Sequence, residues 1–182
     1  PRPHNTYNPP TSPKLCGGRP EPELATLAVL ARDTSDWLEN TNLDNPREND
    51  SDTDIDRMTQ WIADRLGVDV PLHFSAYHPA WKMTGPSTTP LSTLRRARRI
   101  AQHNGLRHVY TGNVYDPGGA STNCPSCSGV VVSRNGYRLE EWNLFVTGGE
   151  AHCQHCGEAV AGEFAHRPGA WRSRRSVHFD KI

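Results

Sequence analysis

The sequence predicts an α/β fold: three βα units that look like the last portion of something larger, followed by a small four-cysteine zinc ribbon. Three observations carry this. Helical and strand-like stretches alternate over residues 21–118, and the strands start near residues 37, 70 and 107, a βα-sized spacing that calls for parallel strands and right-handed crossovers. Four of the five cysteines form two Cys-x-x-Cys pairs, with 25 residues between Cys127 and Cys153. Three strands complete neither an open sheet nor a barrel, because a (β/α)₈ barrel takes about 200 residues or more.

The elements follow in order. Residues 1–20 hold six prolines and few apolar groups, so they are expected to be disordered or loosely attached. A helix is expected from Pro22, with Leu24, Leu27, Ala28 and Ala31 on one face. Residues 37–43 read as a strand weakened by asparagines. Ser51 and Asp54 form a variant capping box ahead of the apolar stripe Ile55, Met58, Ile62 and Leu66, and Gly67 closes that helix. Residues 70–77 form a strand with Leu72, Phe74 and Ala76 on one face and His73, Ser75 and Tyr77 on the other. Thr89 and Pro90 are expected to start the next helix as cap and first residue, with Leu91, Leu94, Ala97 and Ala101 buried and Arg95, Arg96, Arg98 and Arg99 solvated. Asn104-Gly105 ends it, and residues 107–114 make the third strand. Residues 119–162 form the ribbon, with a hairpin signal at Asn135-Gly136, and residues 163–182 a basic tail.

Composition limits the function classes. The formal net charge is +0 and mean hydropathy is −0.71. Residues 1–70 hold 7 basic and 13 acidic side chains and the remainder the reverse, so the whole chain is no polycation. No apolar run reaches the roughly 18–20 residues of a membrane span, and there is no secretory h-region. The expectation is a reducing cytoplasm without a membrane partner, where paired cysteines bind metal rather than form disulfides.

Zinc takes four tetrahedral ligands, and two intervening residues let one knuckle present two thiolates to one ion. Cys124, Cys127, Cys153 and Cys156 are therefore the expected ligands. Glycine after the second cysteine relieves crowding, at Gly157 and, shifted by one, at Gly129. His152 and His155 flank the second knuckle as bystanders, and Cys16 stands apart.

Several short motifs agree with a known family in both order and distance. They are Lys14-Leu15-Cys16-Gly17-Gly18-Arg19, Trp37-Leu38-Glu39, Glu48-Asn49-Asp50-Ser51-Asp52, Pro71-Leu72-His73-Phe74-Ser75, His78-Pro79, Lys82-Met83, Gly112-Asn113-Val114 and Cys124-Pro125-x-Cys127. Over about residues 14–160 the chain resembles the C-terminal half of the AmmeMemoRadiSam-system radical SAM enzymes, relatives of the pyruvate formate-lyase-activating enzymes. The resemblance implies the last three βα units of a radical SAM barrel with a zinc ribbon behind them. It also implies a [4Fe–4S] cluster on Cys-x-x-x-Cys-x-x-Cys that cleaves S-adenosylmethionine to a 5′-deoxyadenosyl radical. That triplet is absent here, so the chain is expected not to hold the cluster or cleave S-adenosylmethionine alone. The implied partners are the missing N-terminal barrel half or a substrate protein. Where the family writes Trp-Leu-Glu-Ile-Thr-Thr-Leu and then Pro-Gly, this chain has Asn40, Asn42, Asp44 and Asn45, and Arg47 replaces the glycine.

In a barrel the strand C-termini carry the chemistry. His73, Ser75, Tyr77 and His78 are expected near the end of the second strand, Glu39 and Thr41 pointing inward from the first, and Asn113 beside the third. Together they are the candidate substrate or cofactor pocket. A different class stays open: a zinc ribbon with Arg167, Trp171, Arg172, Arg174 and Arg175 in its tail suits a nucleic-acid- or protein-binding module. Zero net charge and few aromatics argue against nucleic acid.

Overall fold

The structure, a computed structural model, describes residues 18–136 and 138–166, which fall into two compact units divided between Ala120 and Ser121. The expected loose N-terminus and basic tail lie almost wholly outside the described residues, as does Cys16.

The first unit alternates helix and strand as expected. Helix α1 spans Pro20–Asp33, starting two residues earlier than expected because Pro20 itself takes the first turn. Glu21 and Glu23 near its N-terminus and Arg32 near its C-terminus suit the helix dipole. Strand β1 is Asn40–Asp44, three residues later than the expected start at Trp37. Helix α2, Asp52–Arg65, is capped by Ser51: its Oγ accepts from Asp54 N–H at 3.2 Å and donates to Asp54 Oδ2 at 2.6 Å. Gly67, at φ +106°, closes α2 by donating to Ile62 O. Strand β2 (Leu72–Ala76), helix α3 (Leu91–His103) and strand β3 (Val109–Gly112) complete the unit.

The sheet is parallel throughout, in order β1-β2-β3, with Asn40 opposite Leu72 and Leu72 opposite Val109. Side chains alternate, so one face carries Leu72, Phe74, Ala76 and Val109 into a core with Ile55, Met58 and Ile62 of α2 and Leu94, Ala97 and Ala101 of α3. Burying each of the larger side chains contributes about 1.5–3 kcal/mol. On the opposite face Thr41, Leu43, His73, Ser75, Tyr110 and Gly112 are only half-buried.

Strand β1 breaks the apolar pattern. Its core-facing residues are Asn40, Asn42 and Asp44, at 5%, 3% and 0% exposure. Asn42 Nδ2 donates to Asp44 Oδ1 at 3.0 Å, and Asn49 Nδ2 donates to Leu43 O at 3.0 Å. Asn40 Nδ2 and Asp44 Oδ2 are buried with no hydrogen-bond partner among the described residues.

Two expectations need correction here. Thr89 does not cap α3, whose N-cap is Pro90 without a side-chain bond. Its Oγ1 instead donates to Asp44 O and accepts from Tyr77 N–H, tying the ends of β1 and β2 together. Tyr77 does not continue the polar face of β2. It follows the strand, is 6% exposed, and its hydroxyl donates to Met83 O in the next loop.

The second unit is all β. Strands β4 (Thr122–Asn123), β5 (Val130–Asn135) and β6 (Arg138–Trp142) form one antiparallel sheet. Strands β7 (Leu144–Thr147), β8 (Glu150–Cys153) and β9 (Ala159–Val160) form another. Gly136, at φ +58°, turns β5 into β6 as the Asn-Gly signal predicts. Asn143 joins the sheets: its N–H donates to Val131 O and its Nδ2 to Val130 O, while its carbonyl accepts from Gln154 N–H. Val131, Val132, Leu144, Ala151 and Val160 pack around Cys124 and Cys153.

Candidate metal centre and the polar face of the sheet

Two tight turns bring the four cysteines together, and they repeat one hydrogen-bond pattern. Cys124 N–H donates to Gly129 O and Ser128 N–H to Cys124 O. Cys153 N–H donates to Glu158 O and Gly157 N–H to Cys153 O. The residue after the second cysteine of each pair is left-handed, Ser128 at φ +60° and Gly157 at +81°. Glycine thus meets the backbone demand only in the second knuckle. Gly129 serves a different need, because a Cβ there would lie 2.8 Å from the His155 ring.

The four Sγ atoms all lie within 4.8 Å of one another, and two separations cross between knuckles: Cys124 to Cys156 at 3.6 Å, Cys127 to Cys153 at 3.8 Å. Four thiolates at about 2.3 Å around one tetrahedral ion sit about 3.8 Å apart, so the donor set fits one such ion. All four thiols are free, at distances far beyond the roughly 2.05 Å of a disulfide. Burial opposes ionisation of Cys153. Hydrogen bonds from the His155 and Cys156 backbone and the neighbouring Cys124 and Cys127 thiols outweigh it and bring this thiol down to about 7. His152 Nδ1 faces Gly157 O at 3.3 Å and stacks on Phe145 at 5.2 Å, while His155 Nε2 faces Val130 O at 3.3 Å. Both histidines are turned to carbonyls, consistent with bystanders.

The pocket residues expected from the first unit separate into two groups. Glu39 lies just before β1, so it does not project from within the strand as expected. Its Oε1 accepts from Trp37 Nε1 at 3.1 Å, and its Oε2 meets His73 Nε2 at 3.2 Å. His73 is the second residue of β2 rather than near its end, stands opposite Thr41, and stacks on Tyr110 at 5.0 Å. Beyond the strand C-termini, His78 Nε2 meets Asn113 O at 2.9 Å, and Asn113, at φ +57°, donates from Nδ2 to Ala76 O at 3.3 Å. Ser75 lies between the groups, its Oγ 3.0 Å from where a Cβ on Gly112 would stand.

Tyr110 and Trp37 were missed, although alternation along residues 107–112 places Tyr110 on the His73 face. Also missed were the fixed contacts of the arginine run. Arg95 pairs with Asp116 at 2.8 Å, Arg96 with Asp52 at 2.7 Å, and Arg98 Nε donates to Val109 O at 2.8 Å, so three of the four are structural rather than merely solvated. Arg167, Trp171, Arg172, Arg174 and Arg175 lie outside the described residues.

Fold and site together define a mixed α/β protein with a four-cysteine cluster able to bind a metal ion near its C-terminus. No helix is long and apolar enough to cross a membrane among the described residues. No protein-family model matches the chain. It is 38% identical over 147 residues to an uncharacterized protein of Methanocaldococcus jannaschii, an alignment that takes 81% of this chain and 43% of that protein. The chain therefore spans less than half the length of this relative.

Proposed function

We propose that the chain is the C-terminal portion of a radical S-adenosylmethionine enzyme of the AmmeMemoRadiSam type, with a structural zinc in its ribbon. The observation that carries the reading is the first sheet. Its three parallel strands are covered by α2 and α3 on one face, and present a half-buried polar row, Thr41, His73 and Tyr110 with Glu39 beside it, on the other. Parallel sheets are ordinarily buried on both faces. A polar inner wall supports a barrel lining completed by further strands.

Cys124, Cys127, Cys153 and Cys156 would hold the zinc. A closed four-thiolate site has no open position for substrate, so its contribution is folding energy. The same cysteines suit one small ion, not a four-iron cluster, and Cys-x-x-x-Cys-x-x-Cys does not occur in residues 1–182. The reading therefore assigns the [4Fe–4S] cluster and S-adenosylmethionine to polypeptide outside this chain, and no radical step runs through the residues described here. What the chain contributes is a wall that positions substrate, with Glu39 and His73 paired on it.

The test begins with the reading frame upstream of Pro1. A Cys-x-x-x-Cys-x-x-Cys segment there, and a reduced-cluster EPR signal with 5′-deoxyadenosine release from the longer anaerobic protein, are the expected results. The 182-residue chain alone should give neither. No such segment in that frame or in any co-purifying chain would overturn the reading.

A further inference from the structure

A second candidate site lies on the helix-covered side of the first unit, on the face opposite the His73 row. A cleft of about 680 Å³ opens between α3, along residues 91–99, and the loop after β3, lined by Ser92, Arg95, Arg98, Arg99, Asp116 and Gly118 among others. That volume is in the range of small-molecule sites, about 300–1,000 Å³. Three guanidinium groups face one carboxylate, an excess of two positive charges.

The carboxylate is already engaged. Asp116 is 6% exposed; its Oδ1 accepts from Arg95 Nε and Nη2 at 3.3 and 2.8 Å, and its Oδ2 accepts from Thr111 Oγ1 at 3.0 Å. Arg95 is thus pinned through Nε and Nη2. Arg98 is pinned through Nε to Val109 O. Fixed guanidinium groups lose less freedom on binding, which is the advantage of arginine in oxyanion recognition. Arg99 is exposed and makes no hydrogen bond or ion pair with any described residue. The loop is held in shape by Gly119, where a Cβ would stand 1.9 Å from Thr111 Oγ1 and 2.6 Å from Asp116 Oδ2.

We infer that this cleft binds the dianionic phosphate group of a small phosphorylated molecule, with Arg98 and Arg99 as its principal contacts and Arg95 as a fixed wall. The inference is independent of the cysteine site and of the radical-enzyme reading, because it rests on other residues.

The test is titration of the full chain with methyl phosphate at constant ionic strength, followed by backbone amide NMR. Saturable shifts confined to Ser92, Gly118 and Gly119 and their neighbours are expected. Arg99→Gln, which removes no structural bond, should weaken binding at least fivefold. Arg57→Gln, an exposed arginine on α2 outside the cleft, should leave it unchanged. Shifts that never saturate, an Arg99→Gln affinity equal to wild type, or equal losses in both variants would overturn the site. So would a short RNA that binds the same amides and is not displaced by methyl phosphate.

Discussion

Asp44 is a fully buried carboxyl with one oxygen lacking a partner among the described residues. Burial pushes its carboxyl up to about 8 and the Asp50 charge adds to this, while the Asn42 hydrogen bond and Arg96 pull the other way. In the unfolded chain the group titrates near 3.8. Between these values the folded protein keeps a proton that the unfolded chain releases, so stability falls as pH rises from about 4 to about 8 and levels off above. The slope is at most about 1.4 kcal/mol per pH unit. Asp44→Asn keeps an acceptor for Asn42 and removes the ionisation. Thermal melts should show the variant more stable than wild type at pH 7.5, with the advantage shrinking towards pH 4; a pH-independent difference would contradict this account. A second residue, Arg47, sits at φ +67°, where an L side chain costs about 1–2 kcal/mol. Arg47→Gly should raise stability by about 1 kcal/mol in urea melts, since Arg47 N–H keeps its bond to Asp50 Oδ1. The departure from glycine was legible in the sequence. That the backbone still takes the glycine conformation required the structure.

At the scale of elements, helices and strands with a regular apolar period were placed well by sequence. Ile55, Met58 and Ile62 of α2, and Leu72, Phe74 and Ala76 of β2, occupy the faces their spacing dictates. Strand β1 was misplaced by three residues because its buried face, Asn40, Asn42 and Asp44, carries no apolar signal. Its pairing with β2 and the bonds of Asn49 and Thr89 outweigh local propensity, and those are long-range facts. Thr89 was misread for the same reason: a cap is a local expectation, and its partners are 45 and 12 residues away. The cost remains visible in Asn40 Nδ2, since an unsatisfied buried amide destabilises by about 1–3 kcal/mol. Asn40→Val should therefore slow hydrogen exchange of the β1 amides relative to wild type, while amides around the cysteine knuckles keep their rates. Faster β1 exchange in the variant would mean that the amide has a partner after all.

For the molecule as a whole, the candidate metal site was the most legible feature, because ligand spacing in a knuckle is a local property. The pocket in the first unit was only partly legible. Which residues share a face follows from alternation, but the meeting of Glu39 with His73 depends on strand register across 34 residues. The two units also differ in what holds them. The first has a core of apolar side chains from α2, α3 and the sheet; the second has a small core wrapped around two buried cysteines. Calorimetry of the zinc-loaded chain should show two transitions. Cys153→Ser should abolish or strongly lower one of them, with loss of about one equivalent of zinc, and leave the other in place. A single transition lost entirely in the variant would show that the units fold as one.

The four thiols of the ribbon turn its folding into a mass-action equilibrium. A ligand that binds only the folded form adds stability that grows with the logarithm of its free concentration, about 1.4 kcal/mol for each tenfold rise once the site is saturated. The cysteine unit then has no fixed stability of its own. On the proposed metal-bound reading it would follow the free level of the ion its cysteines hold, and where a competing chelator lowers that level the ribbon would open while the helix-backed sheet keeps its shape.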